Sequence, residues 1–152
     1  MTWQHLIEQL PYSKPFLFVD QLLHVNEDGV KGEYTFPEDS FFYQGHFKNY
    51  PVTPGVILTE CCAQIGVVSL GLYLLQREQE LEGKSSFKIG MSSSEMEFLI
   101  PVLPGEKVSV VSRKHYFRFH KLKCEVKMYN SDNQLVCKGL IAGMLKVDSN
   151  GE

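Results

Sequence analysis

The sequence predicts an α+β fold in which an antiparallel sheet curls around one long central helix. Three observations carry that expectation. Residues 56–75 run for twenty positions with one charged side chain, Glu60. Ahead of that run, two alternating stretches meet at Asp28-Gly29, and beyond residue 87 alternation resumes and continues to the C-terminus. The order is therefore two strands, one buried helix, then about four antiparallel strands.

The elements follow in order. Residues 2–9 set Trp3, Leu6, Ile7 and Leu10 at helical spacing, and Pro11 ends that short helix. Residues 16–25 are expected as the first strand, with Asp28-Gly29 as a hairpin turn. In the returning strand, residues 30–36, Val30, Gly32, Tyr34 and Phe36 alternate with Lys31, Glu33 and Thr35. Residues 37–50 form a loop. A residue before proline avoids the helical region, so Thr53 is expected as the N-cap and Pro54 as the first helical residue. The helix runs to about Arg77, where the charged stretch 78–86 ends it. Residues 87–98, 107–117, 121–128 and 134–147 then read as strands, with Leu103-Pro104-Gly105 and the cluster Asn130-Ser131-Asp132-Asn133 as turns. In the third of these, Leu122, Cys124, Val126 and Met128 point one way and Lys121, Lys123, Glu125 and Lys127 the other.

A helix apolar all round is either a membrane span or the buried axis of a soluble domain. Twenty residues suffice to span a bilayer. Against that, Glu60 and Gln64 lie four apart on one face, and an acid at mid-membrane costs roughly 2.5–3.5 kcal/mol on insertion scales. A buried helix and no membrane span is the expectation, and a lone acid upon it requires a reason.

The chain of 152 residues is expected to form a single domain, 1–152, with a real core. With 15 basic and 18 acidic residues, nothing in the balance points to nucleic acid. Cys61, Cys62, Cys124 and Cys137 follow no metal-ligand spacing and read as small buried hydrophobes in a reducing, cytoplasmic setting. His5, His24, His115 and His120 show no metal spacing either, so no metal is expected. The N-terminus has no basic segment followed by an apolar one, so no signal peptide is expected.

Three blocks resemble one family. Gln44-Gly45-His46-Phe47, Pro51, Pro54-Gly55-Val56, Glu60 and Ala63-Gln64 look like the active-site segment of the β-hydroxyacyl-acyl-carrier-protein dehydratases. Leu10-Pro11, Pro15-Phe16-Leu17 and Val19-Asp20 resemble that family's opening motif, and Phe98, Pro101-Val102 and Pro104-Gly105 its third. The resemblance implies the hot-dog fold, a sheet wrapped around a central helix. It further implies dehydration of 3-hydroxyacyl groups carried on the phosphopantetheine of acyl carrier protein, with no cofactor of the enzyme's own. His and acid facing one substrate come from different subunits in that family, which implies a homodimer, with a trimer of dimers as the larger alternative. The isomerising relatives usually have aspartate where Glu60 stands, so simple dehydration is implied.

The reaction needs a base for the α-proton, an acid for the departing hydroxyl and a seat for charge on the thioester oxygen. An imidazole titrating near ~6.5 makes His46 the expected base. Glu60, desolvated on an apolar helix, is expected to hold its proton and act as the acid. Free N–H groups of Gly55 and Val56 at the helix start are the expected oxyanion donors. A Thr53 side chain capping the helix would compete for one of them. Gln64 matches a family glutamine beside the acid; the alternative is a buried amide satisfied locally.

The chain departs from the family at several points. Tyr12-Ser13 stands for His-Arg, Lys48-Asn49-Tyr50 follows Gly-His-Phe, and Glu97, Leu99 and Ile100 replace basic residues of the third block. Tyr43 is an extra aromatic between Phe42 and Gln44, and Thr53 replaces a larger apolar residue. Since basic residues in the family meet the carrier protein, carrier docking is where these changes bear. The stretch 113–123 offers Arg113, Lys114, Arg118, Lys121 and Lys123 instead, either as a solvated strand face or as a replacement docking surface. Two rival functions remain: a hot-dog acyl thioesterase, and a non-catalytic acyl-binding subunit of a biosynthetic complex. A dehydratase of polyene or polyketide assembly is a variant of the main reading.

Overall fold

The computed structural model describes residues 3–78 and 84–149. A short helix, α1 (Gln4–Glu8), precedes the hairpin β1 (Gln21–Asn26) and β2 (Gly29–Thr35). A 3-10 turn, Phe41–Gln44, leads into the central helix α2 (Gly55–Arg77). Four strands follow: β3 (Lys84–Phe98), β4 (Lys107–Arg118), β5 (Lys121–Tyr129) and β6 (Leu135–Ser149). All pair antiparallel in one sheet of order β1-β2-β4-β5-β6-β3. This is the α+β layout that the alternation and the lone apolar helix predict, and it agrees with the hot-dog arrangement that the family resemblance implies. The charged exit beyond Glu78 runs into residues outside the described ones.

The helix is a core element. In its most apolar stretch 78% of the residues are buried inside the protein, which decides against a span exposed to lipid. Cys61, Ile65, Leu70 and Leu75 on α2 meet Val110, Leu122, Val126, Met128 and Ile141 in one apolar cluster. The contact is close at Gly66, where a Cβ would lie 2.9 Å from the Ser112 Cβ and 3.1 Å from Val126. Gly66→Ala should therefore cost about 1–3 kcal/mol, as overpacking does, and lower the denaturant midpoint at unchanged slope.

One turn of π-helix, Gln64–Val68, interrupts α2, and the Ser69 hydroxyl donates to the Gln64 carbonyl at 2.8 Å. The same carbonyl accepts the Ser69 backbone N–H, so it holds two bonds across the widened turn. The bulge begins one turn after Glu60.

Two local expectations are corrected. The first strand starts at Gln21, not at residue 16. Gln64 takes the backbone of that segment instead: its Oε1 accepts from the Phe18 N–H at 2.7 Å and its Nε2 donates to the Phe16 carbonyl at 3.0 Å. The groups a ladder would use are spent on the helix. Thr53 is not the cap either. Pro54 holds the N-cap position, its carbonyl accepting from Leu58 at 3.1 Å, and no side chain caps the helix.

Candidate active site

Glu60 projects from the second turn of α2 into a cavity of about 230 Å³. Tyr12, Phe16, Val67, Met91 and Ile141 are among its walls, so the carboxyl is the one acid in an otherwise apolar lining. Burial pushes the Glu60 carboxyl above the usual carboxylate range, and the hydrogen bond from Gln64 pulls it part of the way back. That bond runs from the Gln64 Nε2 to the Glu60 Oε2 at 3.0 Å.

Gln64 is fully buried, and both hydrogens of its amide are committed, one to Glu60 and one to Phe16. It sits where it can orient Glu60 and tether residues 16–18. Gln64→Leu would orphan the Phe18 N–H and the Phe16 carbonyl, a loss of at least about 2 kcal/mol. It would also remove the bond that favours the ionised Glu60, so the limb of the pH–rate profile set by Glu60 ionisation should move to higher pH. A pH profile beside a denaturation curve checks both.

His46 lies in the loop before α2, half-buried. Its carbonyl accepts from the Val52 N–H at 2.9 Å, and its Nδ1 is 2.8 Å from the Val52 carbonyl. A carbonyl only accepts, so Nδ1 carries the proton and the neutral ring keeps its lone pair on Nε2. The ring stacks on Phe47 at 4.0 Å, across a cis His46–Phe47 peptide. No hydrogen bond or ion pair joins His46 to Glu60 among the described residues of one protomer.

At the helix start, the carbonyl of Pro54 is occupied by Ile57 at 2.9 Å and by Leu58, while the N–H groups of Gly55 and Val56 meet no capping side chain. The Thr53 hydroxyl, expected there, is 2.5 Å from the hydroxyl of Tyr43, and both residues are buried. A Cβ on Gly55 would lie 3.3 Å from the Phe98 ring, and Val56 is 76% exposed although apolar.

Two site residues escape the motif reading. Tyr12 shares the cavity with Glu60; burial and the Glu60 charge both push its phenol up, so it remains a donor. Tyr43 holds Thr53. The signal for both was present as departures from the family's motifs. The basic stretch 113–123 forms the β4–β5 hairpin, where Arg113 faces Glu125 at 3.4 Å and the Arg118 guanidinium covers the Tyr116 ring at 4.6 Å. Among the described residues no three His, Cys, Asp or Glu side chains gather as metal ligands.

Comparison with known proteins matches residues 10–141 to the FabA-like domain. A 3-hydroxyacyl-[acyl-carrier-protein] dehydratase of Clostridium perfringens is 31% identical over 145 residues, covering 93% of this chain and 96% of its own. The same-named dehydratase of Streptococcus pneumoniae is 32% identical over 143 residues, covering 91% and 93%. Among solved structures, a chain of the dehydratase heterocomplex ApeI:P from Xenorhabdus doucetiae superposes with a TM-score of 0.75 at 12% identity, covering 92% of this chain and 90% of that one. A thioesterase of Haemophilus influenzae reaches 0.59 at 15% identity, covering 84% and 78%. At these identities the structural likenesses speak for the fold alone.

Proposed function

This chain belongs to the FabA-like domain family, and on that premise we propose that it removes water from 3-hydroxyacyl groups carried by acyl carrier protein, giving the 2-enoyl thioester. The observation that carries the reading to named residues is the His46 tautomer: the Val52 carbonyl fixes the proton on Nδ1 and leaves Nε2 free to take another.

His46 Nε2 takes the proton α to the thioester carbonyl. The electron pair moves to the thioester oxygen, which the Gly55 and Val56 N–H groups at the positive end of α2 receive. As the pair returns, the Cβ–O bond breaks and the hydroxyl leaves as water with the proton of Glu60. Glu60 is suited to supply it because burial keeps its carboxyl protonated to higher pH than a free acid. The acyl chain lies in the apolar cavity beside Val67 and Ile141.

The reading includes a homodimer with composite sites. Its support is β3, a 15-residue strand at the end of the sheet order, in which residues 90–95 are all exposed while Phe87, Ile89 and Met96 pack against the core. Its neighbourhood exposes Met91, Phe98 and Leu99, each near half. Long open edges of this kind pair with another chain unless covered or charged. The reading also places the protein in the cytoplasm, where the free, buried Cys61, Cys62, Cys124 and Cys137 stay reduced.

The test follows loss of enoyl absorbance as water adds to a short 2-enoyl thioester, first on carrier protein and then on coenzyme A. Hydration by wild type supports the reading. Release of free thiol without hydration moves the assignment to a thioesterase, and no turnover on either thioester moves it to an acyl-binding subunit.

A further inference from the structure

We propose that Tyr43 is a positioning residue that holds the Thr53 hydroxyl away from the start of α2, so that the Gly55 N–H stays open. The proposal rests on the reading of that helix start as the seat of the thioester oxygen. A threonine just ahead of a helix bonds backbone N–H groups a few residues on, and the Gly55 N–H stands two residues beyond Thr53. Here the hydroxyl is turned elsewhere. Its Oγ1 lies 2.5 Å from the Tyr43 hydroxyl, and its backbone N–H is tied to the Val102 carbonyl at 2.9 Å. With the backbone fixed, only rotation about χ1 is left to Thr53, and the phenol selects the rotamer.

Burial makes the choice binding. Thr53 and Tyr43 are 4% and 7% exposed, so neither hydroxyl can fall back on bulk water. If the phenol oxygen is removed, the Thr53 hydroxyl must find another partner. The Gly55 N–H, uncapped by any side chain in the structure, is the donor nearest in the chain. Tyr43 thereby keeps a self-inflicted cap from forming.

The test is a two-step cycle. Tyr43→Phe should lower kcat about tenfold or more, since loss of one oxyanion donor costs roughly 10²–10³ and the hydroxyl occupies the N–H only part of the time. Tyr43→Phe combined with Thr53→Val should recover to within about threefold of wild type, because no hydroxyl is left to compete. Were the bond merely structural, the double variant would be at least as slow as Tyr43→Phe, and that result overturns the proposal. A second readout needs no turnover. Amide hydrogen exchange by NMR should show the Gly55 N–H gaining protection in Tyr43→Phe and losing it again in the double variant. If the exchange pattern holds while wild type shows no hydration, the proposed reaction fails and the Tyr43 device stands. If Gly55 is equally exposed in all three proteins, the device fails on its own.

Discussion

Glu60→Gln should cut turnover roughly 10²- to 10⁴-fold, the range in which positioned acids and bases contribute. Glutamine keeps the shape and can still meet Gln64, but it has no proton to give the departing hydroxyl. The same change should leave the protein at least as stable as wild type at neutral pH. Burial raises the Glu60 pKa in the folded state above its unfolded value. A carboxyl so shifted binds its proton more tightly when folded, so stability falls as pH rises from the unfolded pKa through the folded one and is lowest above both. Glutamine carries no charge and removes that slope. A thermal melt at several pH values, run beside the hydration assay, should thus show an inactive variant whose Tm no longer declines across that window. His46→Ala should lose activity over the same range. Near-normal turnover in either variant would remove the corresponding residue from the chemistry.

The fold was legible because its signals are redundant. One apolar run with a single acid, a hairpin at Asp28-Gly29 and strict alternation in β5 leave little freedom for another layout. Leu122, Cys124, Val126 and Met128 are all buried, as their spacing required. What failed was local and had one kind of cause: a side chain competing for backbone or cap. Residues 16–20 carry strand-like composition, yet Gln64 takes their hydrogen bonds from 46 and 48 positions away. Thr53 has the right chemistry for a cap, yet Tyr43, ten positions upstream, takes its hydroxyl. No propensity or periodicity encodes a partner at such distances. In the site, motif spacing brought out His46, Glu60, Gly55, Val56 and Gln64 together. The structure separates Gln64 from them as an enclosed residue that grips Glu60, and adds Tyr12 to the Glu60 cavity.

Mixing two inactive proteins should restore activity, the sharpest consequence of composite sites. Within one protomer His46 is bound up with Val52 and Phe47, while Glu60 opens into the cavity beside Tyr12 and Phe16. If each site draws its histidine from one subunit and its acid from the other, a dimer of one His46→Ala and one Glu60→Gln chain carries one whole site and one site lacking both groups. Co-expression under two tags, followed by purification on both, isolates that mixed dimer. It should run at about half the wild-type rate per dimer, because a C2 dimer has two equivalent sites and one of them is intact. Sites built within one subunit make the opposite demand: each site of the mixed dimer then lacks one group, and the rate stays at the level of the parent variants. Because both parents are inactive, any restored rate must come from residues of two chains meeting at one substrate. A background rate in a verified mixed dimer would confine the site to a single protomer and leave the open edge of β3 to be covered by something else.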